Sequence, residues 1–375
     1  MLNTLRPTHV VVNLARLAGN LKNIKEKVAP AKVMPVVKAN AYGHGMLPVA
    51  HYLMHHGADM LGVAILDEGI ALRQGGITTP VLVLGGVLER QVVQYLTYDL
   101  TMSVTSLSNL LAIENTAESM ERVARVHIKV DTGMARLGVP YYEALPLLGA
   151  SLSCTHVRVE GIYSHFANSD AADLTHARLQ IERFEEVCSF YEKHSLPMPT
   201  RHLANSGGIL ALPESYYEMV RPGIMLYGSY PSPVVARSVA IRPALTWRTR
   251  AVFEKVLPPS HPVSYGSTWQ SDHPVRILTL PVGYGDGYFR LLSNKASVIV
   301  RGRRYPQVGR VCMDQMMVNL EKDPADVGEE VLLIGEAGKV KVTADELAEL
   351  IGTISYEIFT NINTRVPRAY VDEAD

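Results

Sequence analysis

The spacing of apolar and polar residues divides the chain into two textures. From residue 14 to about residue 230, helical patterns alternate with short apolar runs. Leu14, Leu17, Leu21, Ile24 and Val28 recur at helical spacing, and an apolar run of strand length follows at 33–37. Further strand-length runs lie at 60–65, 81–84, 101–104, 123–130, 157–163, 201–203 and 218–220. Helix candidates fall between them at 48–56, 106–119 and 173–194. Alternation of strand and helix predicts a parallel sheet, and eight such units predict a closed barrel. The run at 201–203 is short, so the count rests partly on regular spacing. Beyond residue 240 the helical periodicity fades. β-rich stretches at 245–256, 275–280, 296–300, 307–319 and 330–334 are split by Gly, Pro and Asp, with a short helix at 344–351. Pro231, Pro233 and Pro243 mark the junction. The expected architecture is an α/β chain. A (β/α)8 TIM-type barrel occupies residues 1–240, and a mostly β C-terminal domain occupies 241–375.

An open doubly wound sheet is the competing topology. It usually carries a glycine-rich fingerprint after its first strand. Here that turn reads Lys38-Ala39-Asn40-Ala41-Tyr42-Gly43-His44-Gly45, which is not GxGxxG, and no GxxxxGK[ST] occurs. Composition narrows the classes further. Apolar residues make up 47% of the 375, enough for a sizeable core, and charged residues only 19%. The formal net charge is -1 and no basic run stands out, which argues against nucleic acid as a partner. Three widely spaced cysteines, Cys154, Cys188 and Cys312, match a reducing compartment better than a disulfide framework. No apolar run approaches bilayer-spanning length, and the first twenty residues lack a secretory pattern. A soluble, cytoplasmic protein without membrane contact is expected.

In barrel enzymes the chemistry collects at the carboxyl ends of the strands. Lys38 follows the first apolar run. Asp131 and Arg136 follow the fifth, Ser164-His165-Phe166 the sixth, Asn205-Ser206-Gly207-Gly208 the seventh, and Arg221-Pro222-Gly223-Ile224 the eighth. Loops after the last two strands often hold phosphate in this fold, and Ser206 and the glycine turns offer a hydroxyl and free N–H groups. Taken alone, Lys38 reads as an ion-paired or snorkelling lysine. Its emergence from a buried strand changes that, because desolvation lowers a lysine's pKa and makes it a nucleophile. His51 and His55 stand at i, i+4, but with no HExxH and no third ligand they read as a solvated helix face, and no metal is expected.

The segment Val37-Lys38-Ala39-Asn40-Ala41-Tyr42-Gly43-His44-Gly45 resembles the cofactor-lysine motif of the alanine racemases. So do Lys129-Val130-Asp131-Thr132-Gly133-Met134 with Arg136, Tyr163-Ser164-His165-Phe166, Ala204-Asn205-Ser206 and Arg221-Pro222-Gly223-Ile224. The likeness continues through Val263-Ser264-Tyr265-Gly266, Val282-Gly283-Tyr284-Gly285-Asp286-Gly287, Gly309-Arg310-Val311-Cys312-Met313-Asp314-Gln315 and Arg365-Val366-Pro367-Arg368. Their order and spacing cover the length of the chain.

This resemblance implies a pyridoxal 5′-phosphate enzyme that interconverts L- and D-alanine, supplying D-alanine for peptidoglycan. It implies that Lys38 forms a Schiff base with the cofactor and acts as base on one face of the substrate α-carbon. Tyr265 serves the opposite face, activated through His165. Arg221 is implied as partner of the pyridine nitrogen, and Arg136 as contact to the cofactor's phenolic oxygen and the substrate carboxylate. Lys129 matches a position carbamylated in some members. Tyr42, Asn205, Ser206, Gly223, Ile224 and Tyr356 match cofactor-holding positions, and Met313 and Asp314 match substrate-pocket positions. In the family the catalytic tyrosine and the Met-Asp pair come from the partner subunit, so a homodimer with shared active sites is implied.

Rival functions differ at these same residues. Decarboxylases on this barrel use an acidic partner for the pyridine nitrogen and a cysteine proton donor, against which Arg221 and Tyr265 argue. A non-catalytic pyridoxal-phosphate carrier resembles the barrel alone, against which the long C-terminal part argues. A racemase of broader substrate range stays open, because pocket width depends on geometry.

Overall fold

The computed structural model describes residues 5–373. The first strand, β1 (His9–Asn13), alternates buried Val10 and Val12 with half-buried neighbours. It leads into the helix Leu14–Val28, whose buried face carries Leu17, Leu21, Ile24 and Val28 at the spacing expected from the sequence.

Eight parallel strands build the barrel: β2 (Lys32–Val33), β3 (Leu61–Val63), β4 (Val81–Val83), β5 (Met102–Val104), β6 (Ala124–Asp131), then, after the two-residue β7 (Val139–Pro140) that extends β6, β8 (Val157–Tyr163), β9 (Thr200–His202) and β10 (Met219–Val220). Strands β5, β6, β8 and β9 form one parallel ladder, β3 and β4 another, and β10 and β2 a third. Parallel bridges Val36–Gly62 and Leu82–Thr101 join the ladders, and the Arg221 amide donates to the Ala204 carbonyl at 2.9 Å to link β9 with β10. Each apolar run predicted from the sequence holds one barrel strand. Met34, Met60, Leu82 and Met219 fill part of the interior. Unbranched methionines adapt to the irregular gap between strand ends. The crossover helices sit where the periodicity places them, as Met46–His55, Leu107–Ser119 and Thr175–Lys193. Ser106 caps the second by accepting the Asn109 amide at 3.2 Å.

The segment after Val37 departs from ordinary geometry. Ala39, Asn40, Ala41 and Tyr42 all have φ between 51 and 55°. This is a left-handed turn, which costs L-residues roughly 1–2 kcal/mol each. Gly43 (φ 79°) and Gly45 (φ 102°) continue the left-handed path, and a Cβ at either would run into the Phe359 carbonyl or the Tyr370 ring. Only glycine fits there.

The second unit is a β sheet. It comprises β11 (Leu245–Arg250), β12 (Phe253–Leu257), β13 (Val275–Leu280), β14 (Ser297–Val300), β15 (Arg303–Val308), β16 (Met316–Asn319), β17 (Glu330–Ala337), β18 (Val340–Val342) and β19 (Arg368–Val371). The order across it is β12-β13-β16-β15-β14-β17-β11-β1-β19, with β18 on β17. Leu257, Val263, Val275, Ile277 and Val308 form a core cluster in it. The expected stretch 245–256 is two strands broken at Ala251 and Val252, and 307–319 divides at Gly309 (φ 72°). The helix Ala344–Ile351 lies where predicted, started by Thr343, which accepts the Glu346 amide.

The compact units divide differently from the expected boundary at 240. Leu17–Ala41 and Met46–Arg242 form one, whereas the described residues up to Arg16, Tyr42–Gly45 and those from Pro243 onward form the other. The physical reason is β1, which pairs antiparallel with β11 and parallel with β19. An isolated five-residue strand has no stability of its own, so the sheet that pairs it claims it.

Candidate active site

Lys38 stands at the end of the first barrel run, half-buried. Burial pulls its pKa down, the Arg136 charge pulls it further, and Glu68 opposes them. A second lysine, Lys129 on β6, is buried with its Nζ 3.2 Å from the Val130 carbonyl and 4.9 Å over the Tyr163 ring. Burial, then Arg221, hold its pKa well below the usual lysine range, with Arg136 adding to the effect and Asp131 opposing it. Arg136 itself is exposed, on the loop after β6. Asp131 shapes that loop: its Oδ1 accepts the amides of Gly133, Met134 and Ala135 at 2.9, 3.0 and 3.1 Å.

Arg221, directly after β10, is 3% exposed, and none of its partners is a carboxylate. Its Nη1 donates to His202 Nδ1 and the His202 carbonyl at 2.7 and 2.8 Å. Nη2 donates to the carbonyls of Ser164 and Leu203 at 2.7 and 3.1 Å and reaches His165 Nδ1 at 3.3 Å. Burial lowers its pKa to about 10, which leaves it charged at neutral pH. A guanidinium has only donors, so both histidines must present a bare Nδ1 and carry their proton on Nε2. His202 Nε2 then donates to His127 Nδ1 at 2.7 Å. The His202 ring also stacks on Tyr163 at 4.7 Å. Burial foremost, then Arg221, hold all three imidazoles neutral: His127 falls to about 3, and His165 and His202 lie well below the usual range. Lys129, Arg136 and Lys38 also depress His165. The barrel mouth thus brings the guanidinium of Arg221 and the Arg136 side chain together with the amines of Lys38 and Lys129, an arrangement suited to an anionic ligand.

Beside it, Ser206 Oγ accepts the amides of Gly223 and Met225 at 3.0 and 3.4 Å. Asn205 Oδ1 accepts the Gly208 amide and the Ser169 hydroxyl. Ile224 is buried and opens the short turn Ile224–Tyr227. Gln180 was not singled out from the sequence. Fully buried, it donates to the His165 carbonyl at 2.9 Å and to Thr132 Oγ1 at 3.2 Å, and Thr132 meets Ser164 at 2.7 Å. His127 and His202 were also missed. The strand period offered a signal: His127, Lys129 and Asp131 alternate on one face of β6.

The remaining expected residues lie in the β unit. Tyr42 is buried, its ring centroid 5.9 Å from that of Tyr356. Tyr265 is 72% exposed in a turn between Ser264 (φ 66°) and Gly266 (φ 71°). It lines a cleft of about 580 Å³ together with Val263, Ser264, Cys312 and Met317. Met313 and Asp314 are exposed on the turn between β15 and β16, and Asp314 pairs with Arg365 at 2.7 Å. That turn is docked by backbone: the Tyr284 amide donates to the Cys312 carbonyl at 3.0 Å and the Gly285 amide to the Met313 carbonyl at 2.8 Å. A Cβ at Gly283 would overlap both carbonyls. Gly283→Ala is therefore expected to cost about 1–3 kcal/mol in urea unfolding and to displace Met313 and Asp314; unchanged stability would show that the turn adapts.

Among the described residues, no group of three or more His, Cys, Asp or Glu side chains is placed to hold a metal. No helix of the described residues is long and apolar enough to cross a membrane.

Comparison with known proteins accords with this geometry. The family model "Alanine racemase, N-terminal domain" matches residues 12–231, and "Alanine racemase, C-terminal domain" matches residues 244–370. An alanine racemase of Carboxydothermus hydrogenoformans is 45% identical over 369 residues, covering 98% of this chain and all of that protein. A solved alanine racemase of Clostridium difficile 630 superposes with a TM-score of 0.94 at 34% identity, over 100% of this chain and 98% of that one. One from Bartonella henselae, described as having covalently bound pyridoxal phosphate, superposes with a TM-score of 0.88 at 26% identity over 97% and 99% of the two chains. Both halves of the fold and a full-length relative agree, and the chain belongs to the alanine racemase family.

Proposed function

We propose that this protein interconverts L- and D-alanine with pyridoxal 5′-phosphate joined to Lys38, and that Lys38 and Tyr265 are its two acid–base groups. The observation that carries the reading is Arg221: a buried guanidinium bonded to carbonyls and neutral imidazoles, with no carboxylate among those partners. The cofactor fits the charge of the mouth, since phosphate, phenolate and the substrate's carboxylate are all anions and Lys38, Lys129, Arg136 and Arg221 are cations or latent cations. When bound, it supplies the electron withdrawal that makes the substrate α-hydrogen acidic.

Desolvation favours an uncharged Lys38 Nζ, which can take the α-hydrogen as a proton and return it on the same face. Arg221 keeps its own proton, so as donor to a pyridine nitrogen it would leave that nitrogen unprotonated. With the cofactor bound, this would limit electron withdrawal and favour return of the proton to the α-carbon over transamination. Ser206, Gly223 and Ile224 would hold the phosphate, as would Tyr42 and Tyr356, and Asn205 would contribute to holding the cofactor. Arg136 would bind the cofactor's phenolic oxygen and the substrate carboxylate. Lys129, with its charged form disfavoured by burial, is an amine able to add CO2 with loss of a proton. The carbamate would place an anion near Arg136 where the buried amine offers none, and so steady the guanidinium.

Tyr265 delivers or takes the proton on the opposite face, with His165 as its hydrogen-bonding partner. In a homodimer it would come, with Met313 and Asp314, from the partner subunit. Its 72% exposure, with exposed Phe253 lining the same cleft, supports an interface, because exposed aromatic surface of that kind is normally covered. The cell would use the enzyme in the cytoplasm to make D-alanine for peptidoglycan.

Incubation with L- or D-alanine and the cofactor, followed by chiral separation, tests the reading. Convergence on an equal mixture from either side supports it; retention of both enantiomers overturns it. A panel including serine and 2-aminobutyrate reads the substrate range. Tyr265→Phe is expected to slow the reaction about 10²–10⁴-fold. Solvent deuterium exchange should fall far more for one enantiomer than for the other, and equal loss for both would contradict the two-base assignment.

A further inference from the structure

The left-handed turn after Lys38 is held from outside by one carboxylate. Glu68 lies in the first turn of the helix Leu66–Gln74. Its Oε2 accepts the amides of Ala64 and Ile65 at 2.8 and 3.3 Å, the ordinary work of a glutamate at a helix start. Its Oε1 leaves that helix and accepts the Ala39 amide at 2.6 Å. Ala39 is the first residue of the left-handed turn and the neighbour of Lys38. The rest of the turn is tied by Ala41 N to the Val37 carbonyl at 2.9 Å and by Met46 N to Asn40 Oδ1 at 2.9 Å. Neither of those bonds involves the amide next to Lys38.

We propose that Glu68 is a positioning residue for Lys38: it pins the Ala39 amide, which sets where Lys38 enters the barrel mouth, and it supplies the negative charge that offsets Arg136. The electrostatics point the same way. Glu68 raises the Lys38 pKa while burial and Arg136 lower it. His165 also feels Lys38, and is itself surrounded by Arg221, Lys129 and Arg136. Glu68 is thus the anion that acts on Lys38 within this cluster, as Asp131 acts on Lys129. Both of its oxygens are needed. A glutamine keeps one acceptor and places an NH2 where the second N–H donor points, so Glu68→Gln must give up either the helix start or Ala39, and in both cases loses the charge.

The catalytic part of this proposal rests on the racemase reading, so the test has an arm that does not. In protein freed of cofactor, Lys38 is acetylated competitively from pH 6 to 11 and quantified by peptide mass spectrometry. The pH of half-reaction is expected to fall by roughly half a unit or more in Glu68→Gln relative to wild type. In the cofactor-loaded enzyme, kcat for alanine should drop roughly 10–100-fold, with KM and the melting temperature close to wild type. Glu68→Asp, too short to span both sets of amides, should keep the half-reaction pH nearer wild type yet lose kcat. An unchanged Lys38 profile in Glu68→Gln overturns the proposal. So does a lowered melting temperature with an unchanged profile, which would make Glu68 a helix cap only. If wild type fails to racemise alanine, the functional reading falls, while the labelling still decides whether Glu68 governs Lys38.

Discussion

Lys38→Ala is expected to abolish racemisation, with a loss of at least about 10⁴-fold, and to remove the visible absorbance of covalently held cofactor. It removes the nucleophile and one of two acid–base groups together, and a general base alone is worth about 10²–10⁴-fold. The variant should nevertheless fold as well as wild type. Burial and the Arg136 charge both work against the charged form of Lys38, so replacing it relieves an unfavourable interaction. The cofactor-free variant should melt at or above the temperature of the cofactor-free wild type, as is common where a site carries strain for function. Two measurements check this, chiral turnover and the absorbance spectrum; a variant that retained either would remove Lys38 from the role proposed for it.

The second large effect is loss of stability in mild acid. His127, His165 and His202 are held neutral in the fold, with His127 down to about 3. Above their unfolded pKa of about 6.5 they are neutral in both states and contribute no pH dependence. As pH falls below about 6.5, the unfolded chain takes up protons that the fold refuses, so stability falls with pH. Each imidazole contributes about 1.4 kcal/mol per pH unit, and three together on the order of 4 kcal/mol per unit, until their folded pKa values are reached. Glu114 and Glu218, whose pKa values are lowered in the fold, add a loss of the same sign only below about 4.5. His273 has the opposite sign but is solvent-exposed between Asp272 and Glu321. Between pH 6.5 and 4.5 the carboxylates therefore add little, and the slope comes from the imidazoles, His9 adding to the three, together with Lys129, whose charged form the fold also disfavours. Urea unfolding at pH 7.5, 6.0 and 5.0 reads the slope, and His127→Gln should reduce it by about one imidazole's share. A midpoint flat down to pH 5 would mean that the network accepts protons after all.

The network matters for function through the same hydrogens. Arg221 has only donors, and fixing it between two bare Nδ1 atoms and three carbonyls leaves it one orientation. Hydrogen bonds inside a barrel polarise one another more than in water. Removing His127 should thus alter Arg221 through His202, although His127 touches neither lysine by hydrogen bond.

Local patterning sufficed to read much of this protein. The helix Leu14–Val28, the helix Ala344–Ile351 and the eight barrel strands follow from periodicity, because each buries one defined face. Lys38, Arg136, His165, Ser206 and Arg221 were legible as polar residues at strand ends, since a parallel barrel collects those ends on one side. Tertiary structure decided the rest. β1 is too short to choose a sheet, so its pairing with β11 and β19 moved it out of the barrel. The turn at Ala39–Tyr42 has alanine and tyrosine where local preference resists φ > 0, and non-local partners such as Glu68 hold it there. The neutral states of His127 and His202 and the two-sided grip of Glu68 join residues 75 and 29 positions apart. Periodicity shows which face a side chain occupies, but only packing brings such distant groups into contact and removes the water that would otherwise screen them.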